Sequence, residues 1–126
     1  MKKLKIYGAS STGLPESPMA QRVYAFIHTA NAFDVEGMLA LFSADAVIDD
    51  VSVGDAFVGT GGVRRYLEQY FVGYHTTTRL LALEHQDEAT ASARVDFTGD
   101  FGHETGWLRI KLGADGLIER VDAELE

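Results

Sequence analysis

Residues 89–98, ATASARVDFT, alternate without a break. Ala89, Ala91, Ala93, Val95 and Phe97 share one parity, while Thr90, Ser92, Arg94, Asp96 and Thr98 share the other. Successive strand residues point to opposite faces, so this pattern specifies a β-strand with one face buried and one wet. A half-wet strand belongs to an antiparallel sheet covered on a single face. The same period recurs over 104–112, with Gly106, Leu108, Ile110 and Leu112 inward and Trp107, Arg109 and Lys111 outward. It recurs again over 117–125, with Val121, Ala123 and Leu125 inward, and GADG at 113–116 supplies the hairpin turn between the two runs. Residues 76–85 read as a further strand.

The first half carries a helical period instead. Ser17 can cap a helix that opens on Pro18 and aligns Met19, Val23, Phe26, Ile27 and Ala30. Asp34 can cap a second, short helix over 35–42, bearing Met38, Leu39, Leu41 and Phe42. Residues 46–51 then read as part of a strand. A glycine-bearing loop leads to Thr60, the expected cap of a third helix that aligns Val63, Tyr66, Leu67, Tyr70, Phe71 and Tyr74. Helices followed by strands predict an α+β domain over 17–126, with helices on one face of a mostly antiparallel sheet. Residues 1–16 are expected to form an N-terminal arm, or a short strand at 4–7. Small residues on the inward face (Ala91, Ala93, Gly106, Ala123) permit either close helix packing or a cavity.

Several function classes drop out on composition. A net charge of −8 disfavours nucleic acid and anionic membrane as partners. Without cysteine there are no disulfides, thiolate metal sites or cysteine nucleophiles. The histidines at 28, 75, 85 and 103 lack metal-ligand spacing, so neither metal nor other cofactor is expected. GASSTG at 8–13 has phosphate-loop glycine spacing but lacks the following lysine, and GTGGVRR at 59–65 reads as an ordinary helix start. With no apolar leader or spanning segment, the expected compartment is the cytoplasm. The adjacent carboxylates Asp49 and Asp50 close the strand at 46–51. Ala46, Ile48 and Asp50 form one face, Val47, Asp49 and Val51 the other; both are partly apolar, so periodicity leaves open which aspartate is buried.

The stretch from Asn31 to Leu67 resembles the opening half of the nuclear transport factor 2-like superfamily, and most of all its ketosteroid isomerase-like and SnoaL-like members. The pattern N-x-x-D-x-x-x-x-x-x-L-F, D-A-x-x-x-D, G-x-x-x-[IV] is met by Asn31, Asp34, Leu41, Phe42, Asp45, Ala46, Asp50, Gly59 and Val63. The likeness extends over residues 18–126. It implies a cone-shaped, cystatin-like roll with a deep apolar pocket lined by Phe26, Asp50, Tyr66, Tyr70, Val95, Phe97, Leu108 and Val121. It implies that Asp50 points into that pocket as a general base that moves a proton between carbons, with a small lipophilic carbonyl compound, steroid- or polyketide-like, as ligand; the candidate donors are Tyr66 and Tyr70, read from the four-residue spacing of the tyrosines on the third helix. It also implies a homodimer through the outer sheet face around Arg94, Trp107 and Arg109. The sequence departs from the isomerase pattern where Phe26 and Leu108 replace the oxyanion donors, and Tyr24 sits two residues from Phe26 without replacing it. Two other readings follow: a binding or dimerising domain without chemistry, and an epoxide hydrolase-like site, for which RVD at 94–96 matches one part while Ala123 stands where the last-strand acid would fall.

Overall fold

The computed structural model describes residues 17–126; the arm at 1–16, the strand at 4–7 and the GASSTG motif lie outside the described residues. Helix α1 (Pro18–Asn31) starts as its sequence dictates, with Ser17 Oγ accepting from the Ala20 N–H at 2.9 Å and Pro18 supplying a preset φ in the first turn. Its apolar stripe, Met19, Ala20, Val23, Phe26 and Ala30, is buried.

Asp34 caps α2 (Val35–Leu39), accepting from the Gly37 N–H at 2.9 Å. The helix stops short of the sequence expectation. Leu41 accepts a hydrogen bond from the Ile118 N–H at 2.8 Å, and Phe42 pairs with Ile118 and packs edge-on against Phe26 at 6.1 Å. Capture by a distant strand thus outweighs helical propensity here. Strand β1 (Phe42–Asp50) turns back at residues 51–54 into β2 (Asp55–Val58), which pairs with it antiparallel from Asp50↔Asp55 to Val47↔Val58. The sequence predicts only a loop between β1 and the next helix, and the pairing with β1 makes four of its residues a strand. Gly54, at φ 71°, closes the turn in a conformation that side chains resist. Gly59, at φ 75°, swings the chain from β2 directly into α3 (Gly59–Tyr66), so Thr60 lies inside the helix and does not cap it. The helix continues over Leu67–Val72 with the wider π-type hydrogen bonding.

The remaining strands are β3 (Thr77–His85), β4 (Thr90–Gly99), β5 (Gly102–Leu112) and β6 (Ile118–Leu125). They complete a six-stranded sheet of order β2-β1-β6-β5-β4-β3, antiparallel except where β1 runs parallel to β6. The sheet is curved and open, giving the α+β roll expected. Register irregularities in β1, β3 and β5 bend the strands around the helices. Helix α1 packs on β3 and β4, where Ala91 and Ala93 are fully buried; the small side chains there serve close packing. No helix among the described residues is long and apolar enough to cross a membrane.

Candidate active site

The side chains of Ala46, Ile48 and Asp50 on β1 all turn inward, with exposures of 0%, 2% and 7%. Asp49, one residue away, is half-buried on the outer face, where Arg120 donates to its carboxylate at 3.2 Å. Asp50 therefore sits at the inner end of a strand, facing a cavity of about 200 Å³. The turn at 51–54 and the helix α3 with its π-type extension form one side of this cavity, and the open ends of β4, β5 and β6 the other.

A buried carboxylate is costly unless donors replace its water. Asp50 has three. The Ser52 N–H and Oγ–H both donate to Oδ1, at 2.9 and 2.6 Å, and Tyr66 donates its hydroxyl proton to Oδ2 at 2.5 Å. All are neutral, and no cation among the described residues cancels the charge. Each carboxylate oxygen accepts along two lone pairs. Oδ1 has both engaged, whereas Oδ2 keeps one, and Oδ2 is the atom able to take a proton.

Tyr66 is 7% exposed. Burial first, then the adjacent Asp50 charge, hold its phenol well above the ordinary tyrosine pKa, so it stays a protonated donor. That proton is committed to Asp50. The Tyr70 ring packs against Tyr66 at 5.1 Å between centroids, and its hydroxyl makes no hydrogen bond to any described residue. Tyr70 lines the cavity and can donate to a ligand oxygen. The π-type turn has a direct role here: it carries Tyr70 and Phe71, both of which line the cavity.

The side chains named from sequence do not all converge. Asp50, Tyr66, Tyr70 and Phe97 line the main cavity. Phe26, Leu108 and Val121 line a second, inner void of about 20 Å³, roughly one water in size and almost wholly apolar. Tyr66 and Phe71 border both spaces and form the partition between them. Val95 borders neither; it is fully buried on β4, which α1 covers. Phe26, Leu108 and Val121 thus lie at the inner void and Val95 in the core, with Tyr66 and Phe71 standing between the void and the main cavity. Tyr24 borders neither space.

The sequence reading missed Ser52, Val53, Thr76, Phe101, Glu104 and Leu125 as lining residues, and did not select Tyr74 or Phe71 from the helical stripe. Ser52 was the most accessible of these, since Asp-x-Ser before a glycine is a local turn signature in which the aspartate binds the chain two residues on. Leu125, read as inward, lines the mouth but stays 42% exposed. Arg94 and Asp96, the candidates for an epoxide hydrolase-like site, are on the outer face. Arg94 grips Glu126 through Nε and a terminal nitrogen at 2.7 and 2.8 Å, and Asp96 is held by Arg79 and His103 at 2.8 and 2.5 Å. Among the described residues no group of three or more potential ligands could hold a metal ion.

Residues 23–121 match the family model of the SnoaL-like domain. The chain belongs to this family. No protein of curated function matches the sequence significantly. Solved structures share the fold at low identity. RV0760c from Mycobacterium tuberculosis, in complex with estradiol-17beta-hemisuccinate, is 20% identical with a TM-score of 0.77, over 86% of this SnoaL-like chain and 93% of that one. A putative ketosteroid isomerase from Kribbella flavida is 19% identical with a TM-score of 0.73, over 83% and 75%. SalBIII, an epoxide hydrolase/cyclase-like enzyme of pyran ring formation in the polyether salinomycin, is 19% identical with a TM-score of 0.74, over 84% and 88%.

Proposed function

We propose that this SnoaL-like protein is a small cofactor-independent enzyme that abstracts a proton next to the carbonyl of a compact lipophilic ketone. The observation that carries the reading is Asp50: a carboxylate almost withdrawn from water, beside a largely apolar cavity, bound only by neutral donors. In this reading Oδ2 of Asp50 removes the proton from carbon, and the electron pair moves into the carbonyl to make an enolate. Tyr70 donates to the enolate oxygen, and Asp50 returns its proton to a second carbon of the extended enolate. Ser52 and Tyr66 hold the carboxylate in place. The relatives with ketosteroid isomerase and cyclase-like descriptions lend the chemistry plausibility without assigning it.

The test is exchange of the acidic carbon-bound protons of β-tetralone for deuterium in heavy water, followed by mass spectrometry. Exchange above the buffer rate that falls about a hundredfold or more in Asp50→Asn, with the fold intact by circular dichroism, supports the reading. Equal exchange in wild type and Asp50→Asn would falsify it. A binding function without turnover is favoured by one observation: apolar Phe26 and Leu108 stand where the resembling isomerases carry their oxyanion donors. It predicts weaker ketone binding in Asp50→Asn and no exchange at all.

We also propose that the outer sheet face around Trp107, Arg94 and Arg109 pairs two copies and that the protein works in the cytoplasm. A groove of about 450 Å³ beside Trp107 and Arg109 supports the first point. Sedimentation of wild type against Trp107→Asp tests it, a monomer in both ruling the dimer out.

A further inference from the structure

The cavity contains a second carboxylate that the mechanism does not use. Glu104, near the start of β5, is half-buried in the cavity lining and makes no hydrogen bond or ion pair to any described residue. Its chain neighbour His103 points outward and is held by Asp96. The strand register separates Glu104 from Asp50. Ala123 of β6 is level with Asp50 on one side and with Leu108 on the other. Glu104 lies four residues beyond Leu108, roughly 13 Å along the strand, and two strand spacings, roughly 10 Å, away across the sheet. The backbones of Glu104 and Asp50 thus lie at opposite ends of the cavity lining. The company of Glu104 is the mouth: Phe101, Tyr74 and Leu125 line the same cavity and are 40%, 42% and 42% exposed.

Among the described residues no basic side chain lines the cavity. An anionic ligand group entering the mouth would meet an uncompensated carboxylate and, beyond it, a protein of net charge −8. A protonated amine would meet that carboxylate together with the aromatic rings of Tyr74 and Phe101, the pairing that stabilises a partly desolvated ammonium. We propose that Glu104 is a specificity residue, and that the ligand carries a protonated amine at the end remote from the carbon that Asp50 attacks. The orientation of the ligand rests on the Asp50 reading above; the amine preference does not.

β-Naphthol, an aromatic analogue of the enol of β-tetralone, is the scaffold for the test. Four probes are titrated by calorimetry: the parent compound and derivatives bearing an aminomethyl, hydroxymethyl or carboxylate group on the far ring. Wild type is expected to bind the aminomethyl probe about tenfold tighter than the hydroxymethyl probe, the increment of one partly exposed charge-assisted hydrogen bond, and the carboxylate probe more weakly than either. Glu104→Gln should bring the amine-to-hydroxymethyl ratio to about one, whereas Glu104→Asp, which keeps the charge, retains a preference. Absence of the amine preference in wild type overturns the inference, whether or not the variants fold. So does a preference that survives Glu104→Gln. Where the preference depends on Glu104 but Asp50→Asn leaves binding of the parent compound unchanged, the specificity inference stands and the Asp50 reading fails. Failure of all four probes to bind overturns both.

Discussion

Four carboxylates on the outer face of the sheet and two on the inner face are held in opposite ways. On the outer face, Asp49 and Asp122 meet Arg120, Asp96 meets Arg79 and His103, and Glu126 is clasped by Arg94, Thr105 and Trp107. On the inner face, among the described residues, Asp50 has only neutral donors and Glu104 has none. The contrast falls between neighbours in sequence: Asp49 and Asp50, His103 and Glu104. Carboxylates neutralised by cations hold strands in register. Carboxylates left uncancelled in a cavity cost stability unless they serve something that enters it.

This comparison can be broken most sharply at the base. Asp50→Asn should lower deuterium exchange into β-tetralone about a hundredfold or more, while substitution of an outer carboxylate such as Asp49→Asn leaves the rate within about twofold. Next comes Tyr70→Phe, which removes the donor assigned to the enolate oxygen. It should cut exchange about tenfold or more with little change in melting temperature.

Tyr66→Phe separates support from catalysis. It deprives a buried carboxylate of a hydrogen bond and should cost about 1.5–3 kcal/mol in denaturant unfolding. Because the folded-state pKa of Tyr66 is raised, the stability tied to its proton is complete below the ordinary value of 10.0 and is lost as pH climbs from there. Tyr66→Phe should flatten that alkaline loss.

The outer face gives the smallest effect and the opposite sign with pH. Arg94, Thr105 and Trp107 hold the Glu126 carboxyl down to about 2 from 4.5. The stability it contributes is complete above pH 4.5 and is lost as pH falls toward 2. Glu126→Gln should flatten this acid limb and shift the melting temperature at neutral pH only slightly, since the cluster is solvent-exposed. An acid limb unchanged in Glu126→Gln would remove the outer half of the comparison.

Much of the fold was legible in the chain. The Ser17 and Asp34 caps, the parity of β4 and β5 and the turn at 113–116 are local signals, carried by residues a few positions apart. What escaped was decided at a distance. Helix α2 ends at Leu39 because Ile118, far along the chain, claims Leu41 and Phe42. β2, at four residues, is too short to show a period, and exists because β1 offers it an edge.

The site divides along the same line. The sequence singled out Asp50 by its resemblance to the SnoaL-like and isomerase-like proteins and Tyr66 and Tyr70 by their helical spacing, and its strand period settled which residues share a face. Tertiary structure alone decided that Tyr66 spends its proton on Asp50, that Tyr66 and Phe71 cut Phe26, Leu108 and Val121 off from the main cavity, and that Glu104 stands at its mouth without a partner among the described residues. A strand's period is a property of adjacent residues, whereas a cavity is bounded by the register of strands and helices from opposite ends of the chain. No local pattern can therefore state which inward side chains touch one another and which are left facing open space.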